Sequence, residues 1–193
     1  MAPFIEEIEH QGFAAWRMQN RHGAVTVSAH GGQLLSWRLP GQREVLWLSP
    51  LTSGHPAPIR GGVPICWPWF SKQGVTPDAP QHGTVRTQTW RLTSMRVINA
   101  QKLQLNLEPI QPQLFVAAAK PTAHEGNSEA FAMLDVSVQF TLQPDSLTQT
   151  LTTRNRGTTP CTLTQAFHTY LAVSDARQVV LRAWMASPML TSF

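Results

Sequence analysis

In residues 133–142, MLDVSVQFTL, apolar and polar side chains alternate. Leu134, Val136, Val138, Phe140 and Leu142 fall on one side of an extended chain, a period of two that marks a strand with one face in a core. A Gln-Pro-Asp-Ser turn follows and leads into SLTQTLTTRN, a second strand that closes at Asn155-Arg156-Gly157. Shorter β-type runs precede this pair. Residues 24–29 (AVTVSA) and 33–39 (QLLSWRL) are split by Gly31-Gly32, and 44–48 (EVLWL) follows the turn PGQ. Residues 84–98 and 103–107 extend the series. No segment holds a helical period beyond one or two turns. The pattern predicts an all-β chain of the sandwich type. Residues 117–130 (AAAKPTAHEGNSEA) read as a long surface loop.

Composition agrees with one folded domain. The chain has 193 residues, 42% apolar and 13% charged, a globular balance. No apolar run reaches the ~20 residues of a membrane helix, and the acidic N-terminus MAPFIEEIEH does not have the order of a signal peptide. Two cysteines, Cys66 and Cys161, are too few for a disulfide framework and read as reduced thiols of a cytoplasmic protein. The net charge of +4 comes from scattered Lys and Arg, without the basic cluster or helical basic face that nucleic acid requires. A modest positive field also suits a small anionic substrate.

Three segments carry candidate chemistry. In IRGGVPICWPWF (59–70), Gly61 and Gly62 permit close backbone approach, and the prolines fix an extended path. Trp67 and Trp69 on such a path form either an apolar wall for the faces of sugar rings or a loop packed into the core. Arg60 offers a planar fork for an anionic oxygen. In PQHGTVR (80–86), His82 and Arg86 share a side if the segment is a strand. In TQAFHTYL (164–171), His168 lies among aromatics beside the only tyrosine, Tyr170. Taken alone, either histidine is more often structural than catalytic. The seven histidines show no metal-ligand spacing.

Taken in order, RGGVPICWPWF, QHGTVR and NRGTTPCTLTQAFHTYLAV resemble the motifs of the D-hexose-6-phosphate mutarotases, aldose 1-epimerase relatives with the galactose-mutarotase β-sandwich. The likeness runs from about residue 20 to 182. It departs at Ser71, where the family usually has glycine, and at Thr84 and Val85. The resemblance implies interconversion of the α and β anomers of hexose 6-phosphates without cofactor or metal. It implies that His168 protonates the ring oxygen and that His82 hydrogen-bonds near it. It also implies that Arg60 and Arg86 face substrate, with Lys72 joining them at the 6-phosphate. The family's base is a glutamate farther toward the C-terminus than this chain extends. No Glu here takes that place by motif, and Glu125 and Glu129 lie in the predicted loop. Impaired turnover is therefore expected, with a sugar-phosphate-binding fragment as the alternative.

The resemblance places residues 1–182 in the N-terminal part of a single sandwich, incomplete at its C-terminal end. The tail 183–193 continues no strand pattern. Trp184 and Met185 have one codon each, and with Ala186 they force Asp-Gly in an alternative reading frame, where the family usually has Leu-Asp-Gly. The tail is therefore expected to be out of frame.

Overall fold

The computed structural model describes residues 2–51, 56–75, 77–110 and 131–180. Two four-stranded antiparallel sheets make the body. The first is a meander of β1 (Phe4–His10), β2 (Phe13–Asn20), β3 (Gly23–Ser28) and β4 (Leu34–Arg38), in that spatial order. The second runs β6 (Trp90–Val97), β7 (Leu103–Pro109), β8 (Leu134–Leu142) and β9 (Leu147–Asn155). A two-residue strand β5 (Ile65–Cys66) pairs with β10 (Ala166–Phe167), joining the middle of the chain to its later part.

The inward faces of the two sheets form one core. Trp16, Met18, Val25 and Val27 come from the first sheet; Leu103, Leu105, Leu107, Val136, Val138 and Phe140 come from the second. The alternation in β8 is realised residue by residue: its five apolar side chains are all buried. Each such burial is worth about 1.5–3 kcal/mol.

The core is less well covered at β9. Its inward row, Leu147, Gln149, Leu151 and Thr153, is only half-buried, although β9 pairs with β8 along its whole length. Gln149 Nε2 is buried and has no hydrogen-bond partner among the described residues. Among the described residues no strand pairs with the other edge of β9.

The sequence expectations need adjusting in three places. Residues 84–98 are not one strand. A 3₁₀ turn at Val85–Thr87 comes first, closed by Gln88 N–H donating to Val85 C=O, and β6 starts only at Trp90. Residues 44–48 form isolated bridges rather than a strand, at Glu44, Leu46 and Leu48. The hairpin β1–β2 had no clear alternation to announce it, because β1 is nowhere fully buried. The predicted loop at 117–130, with Glu125 and Glu129, and the tail at 183–193 lie outside the described residues. Both cysteines are free, Cys66 buried and Cys161 half-buried. No helix among the described residues is long and apolar enough to cross a membrane.

Candidate active site

The segment 59–70 is held at close quarters by backbone. Gly62 has φ +61°, and a Cβ there would come within 2.2 Å of Leu34 C=O, so only glycine fits. Its N–H donates to Trp47 C=O (2.7 Å), and Val63 N–H donates to Leu34 C=O (2.8 Å). The buried Gln33 amide donates to Gly61 C=O at 2.6 Å. Against this anchored segment lies the later one. His168 N–H donates to Pro64 C=O (3.0 Å), and Tyr170 N–H donates to Gly62 C=O (2.9 Å). Because alternate residues of an extended chain share a side, His168 and Tyr170 emerge together.

The third segment meets the first just as tightly. Gly83 has φ +74°, and a Cβ there would sit 1.9 Å from Trp67 C=O. Thr84 N–H donates to that same carbonyl at 3.0 Å. His82 itself has φ +66°, a left-handed conformation uncommon outside glycine. Two bonds tie it to Ser71. His82 N–H donates to Ser71 C=O (2.7 Å), and Ser71 N–H donates to His82 Nδ1 (3.0 Å).

These contacts create a cleft of about 300 Å³ lined by Ile59, Arg60, Cys66, Gln81, His82, Arg86, His168 and Tyr170, with Ala57, Pro58 and Pro64 at its margin. Arg60, His82, Arg86 and His168 are thus brought together from three separate segments. The imidazole centroids of His82 and His168 lie 5.8 Å apart. Phe70 backs both, at 4.8 Å from His82 and 6.2 Å from His168, and Tyr170 meets His168 edge-on at 4.7 Å. Arg86 reaches the cleft from the 3₁₀ turn, not from a strand.

The electrostatics are one-sided. Burial lowers the His82 pKa from the usual histidine value, and the positive charges of Arg86 and His168 lower it further. With Nδ1 accepting from Ser71, the neutral ring carries its proton on Nε2. Burial raises the Cys66 thiol, with Arg86 opposing. Burial also lowers Arg86, with Cys66 and Tyr170 opposing. Among the described residues no carboxylate lines the cleft. As lined by the described residues, the cleft can hold an anion and donate hydrogen bonds, with no carboxylate among them to accept a proton. Among the described residues no group of three His, Cys, Asp or Glu is placed to hold a metal ion.

Three candidates from the sequence do not line this cleft. Trp67 is buried in the main core, with Nε1 donating to Thr153 Oγ1 at 3.0 Å. Trp69 is buried beside Val75 and Ala79, with Nε1 donating to Pro80 C=O at 2.8 Å. Both rings point inward, Trp67 into the main core and Trp69 into a separate cluster, so they brace the loop from beneath. Lys72 is exposed and donates to Pro77 C=O. Conversely, Tyr170, Cys66 and Gln81 line the cleft without having been singled out as site residues. The spacing of His168 and Tyr170 was the available signal for the tyrosine.

Comparison with known proteins adds independent findings. The family model described as aldose 1-epimerase matches residues 14–189, a span that enters the 183–193 tail. A protein of Cenchrus ciliaris named "Putative glucose-6-phosphate 1-epimerase" is 30% identical over 165 residues, covering 82% of this chain and 46% of that protein. An Escherichia coli K12 protein of the same name is 45% identical over 75 residues, 36% of this chain and 24% of that one. The chain therefore spans less than half the length of these relatives. Among solved structures, the Salmonella typhimurium "putative mutarotase (YeaD)" superposes with a TM-score of 0.60 at 22% identity, over 78% of this chain and 46% of that one. A galactose mutarotase-like protein from Clostridium acetobutylicum gives 0.55 at 13% identity, over 79% and 49%. At these identities the structures speak to the fold, which is the galactose mutarotase-like one.

Proposed function

Because the chain belongs to the aldose 1-epimerase family, we propose that its cleft binds a hexose 6-phosphate and carries the proton-donating half of anomer interconversion. One observation supports this reading above the others: two imidazoles 5.8 Å apart share a cleft with two arginines. Arginine forks suit a phosphate monoester. Paired ring donors suit a single ether oxygen.

Opening a cyclic hemiacetal moves two protons. A base takes the proton of the C1 hydroxyl, an acid protonates the ring oxygen, and the bond between C1 and that oxygen breaks. The aldehyde rotates, and the reverse steps give the other anomer. In our reading His168 supplies the proton to the ring oxygen. His82 donates a hydrogen bond from Nε2 to the same oxygen. Arg60 and Arg86 hold the phosphate. With no carboxylate lining the cleft among the described residues, water takes the C1 proton in this reading. Loss of one acid–base partner costs about 10²–10⁴-fold, so binding is expected to exceed turnover.

The test has two arms. Calorimetric titration with glucose 6-phosphate reads binding, and NMR exchange spectroscopy reads anomer interconversion above the buffer rate. Saturable binding that Arg60→Gln with Arg86→Gln weakens tenfold or more, with slow exchange that His168→Ala abolishes, is the expected result. Binding without any enzyme-dependent exchange would reduce the chain to a sugar-phosphate binder. No binding would overturn the proposal.

A further inference from the structure

A second concave site lies on the outer face of the first sheet. It is a groove of about 450 Å³ lined by Arg17, Gln19, Arg21, Arg38 and the small residues Gly23 and Ala24, with Asn20, Leu39, Pro40 and Gly41 completing it. The sheet register explains its shape. Gln19 pairs with Ala24, and Ala24 pairs with Arg38, so a methyl group floors the space between longer side chains on either strand. Arg17 lies two positions before Gln19, on the same face of β2. Arg21 stands at the tip of the β2–β3 turn.

That tip is built rigidly. Asn20 is buried, and its Oδ1 accepts from the N–H groups of His22 (2.8 Å) and Gly23 (3.1 Å). Its Nδ2 donates to Gln101 C=O at 2.9 Å, pinning the turn to the second sheet. At Gly23 a Cβ would meet Arg38 C=O at 3.0 Å, so the adjacent strand also packs close.

The charges in the groove are only weakly compensated among the described residues. Elsewhere three arginines are held by carboxylates: Arg91 by Glu108, Arg156 by Asp135 at 2.8 Å, Arg177 by Asp175 at 3.0 Å. In the groove, Arg38 approaches Glu44 only to 3.9 Å, and that carboxylate already accepts from Ser36 Oγ (2.6 Å) and Trp37 N–H (2.7 Å). Arg21 Nε donates to the neighbouring His22 ring (2.9 Å). Arg17 makes no hydrogen bond or ion pair among the described residues; Glu6 stands across from it in the register of β1. Among the described residues no carboxylate lines the groove. Three guanidinium groups around one concavity focus a positive field there, and guanidinium forks bind phosphate oxygens two at a time.

We propose that this groove is a second anion site, distinct from the cleft, that takes the phosphate group of a small phosphorylated molecule. Its volume accommodates more than a bare phosphate, and its floor of Gly23 and Ala24 leaves space for the attached moiety. It is independent of the histidine cleft in both residues and chemistry: it contains no proton donor poised for catalysis, so its role is binding.

Inorganic pyrophosphate is the probe, followed by calorimetry on the purified chain. The measurement is made in a background carrying Arg60→Gln and Arg86→Gln, which silences the cleft as a competing anion site. Saturable binding at about 1 mM or tighter is expected, weakened at least tenfold by adding Arg17→Gln and Arg38→Gln. Backbone amide NMR shifts should concentrate at residues 17–24 and 38–41. The idea fails if pyrophosphate does not bind the cleft-silenced chain. It fails equally if the Arg17 and Arg38 changes leave binding intact in a variant whose NMR spectrum is otherwise unaltered, or if chloride at matched ionic strength competes as well as phosphate.

Discussion

The backbone N–H of Ser71 donates to Nδ1 of His82 across 3.0 Å. A main-chain donor cannot reverse its role, so it fixes the tautomer of the ring and leaves Nε2–H as the free donor. The relationship is made possible by two left-handed residues, Ser71 at φ +57° and His82 at φ +66°.

Imidazole nitrogen NMR should therefore find His82 as the Nε2–H tautomer near neutral pH. Its pKa is lowered chiefly by burial, then by Arg86 and His168. The sign of the linkage follows. Above the unfolded value of 6.5 both states bind no proton at this site, and its contribution is fully present. As pH falls from there through the lower folded value, the unfolded chain binds the proton first and stability declines. His82→Gln should flatten the fall in Tm between neutral and mildly acidic pH. An unchanged slope would remove His82 as its source.

Ser71→Gly should preserve the bond to His82, which is made by backbone, while relieving the left-handed cost of about 1–2 kcal/mol. Glycine's extra chain entropy returns about 0.5–1 kcal/mol of that. The net expectation in urea denaturation is a gain of up to about 1.5 kcal/mol. Ser71→Val, β-branched at positive φ, should lose stability instead.

Gly83→Ala should be far more damaging. Its Cβ would fall 1.9 Å from Trp67 C=O, a contact with backbone that no rotamer change can relieve. A loss of at least about 2 kcal/mol is expected. Because Thr84 N–H shares that carbonyl, His82 and Arg86 should be displaced with it, and ligand binding should fall alongside stability.

Trp69→Phe separates bracing from substrate contact. Removing the indole N–H leaves Pro80 C=O without its 2.8 Å donor and trims a buried ring. About 1–3 kcal/mol of stability should go. Affinity for glucose 6-phosphate in the still-folded protein should change less than twofold. A large affinity loss at unchanged stability would return Trp69 to the ligand site.

What the sequence made legible was periodic or punctuated. Leu134 to Leu142 announced β8 because one face is buried throughout. His82, Arg86 and His168 stood out because each lies in a short segment of unusual composition, and all three line the cleft. The inward turn of Trp67 and Trp69 was not legible. Both readings of the loop, wall or brace, fit the same local sequence, and only tertiary contacts such as Trp67 with Thr153 choose between them. The strand reading of 84–98 failed at its start because Gly83 must pack on Trp67 C=O, and the chain tightens into a 3₁₀ turn on leaving it. Tyr170 was visible as the only tyrosine. Its place in the cleft depended on a pairing across about a hundred residues, Tyr170 N–H with Gly62 C=O.

That same pairing has a kinetic consequence. The hairpins β1–β2, β2–β3 and β8–β9 join neighbours in sequence and can close early. The cleft cannot, because its two walls meet only when residues 166–170 reach residues 62–66. Closing so long a loop costs entropy before any local contact rewards it. On a chain that emerges N-terminus first, Arg60, His82 and Arg86 wait until most of the second sheet has been made. Ligand capture should therefore lag behind the burial of Trp16 and Trp90 during refolding, and its half-time would mark the last long-range closure of the fold.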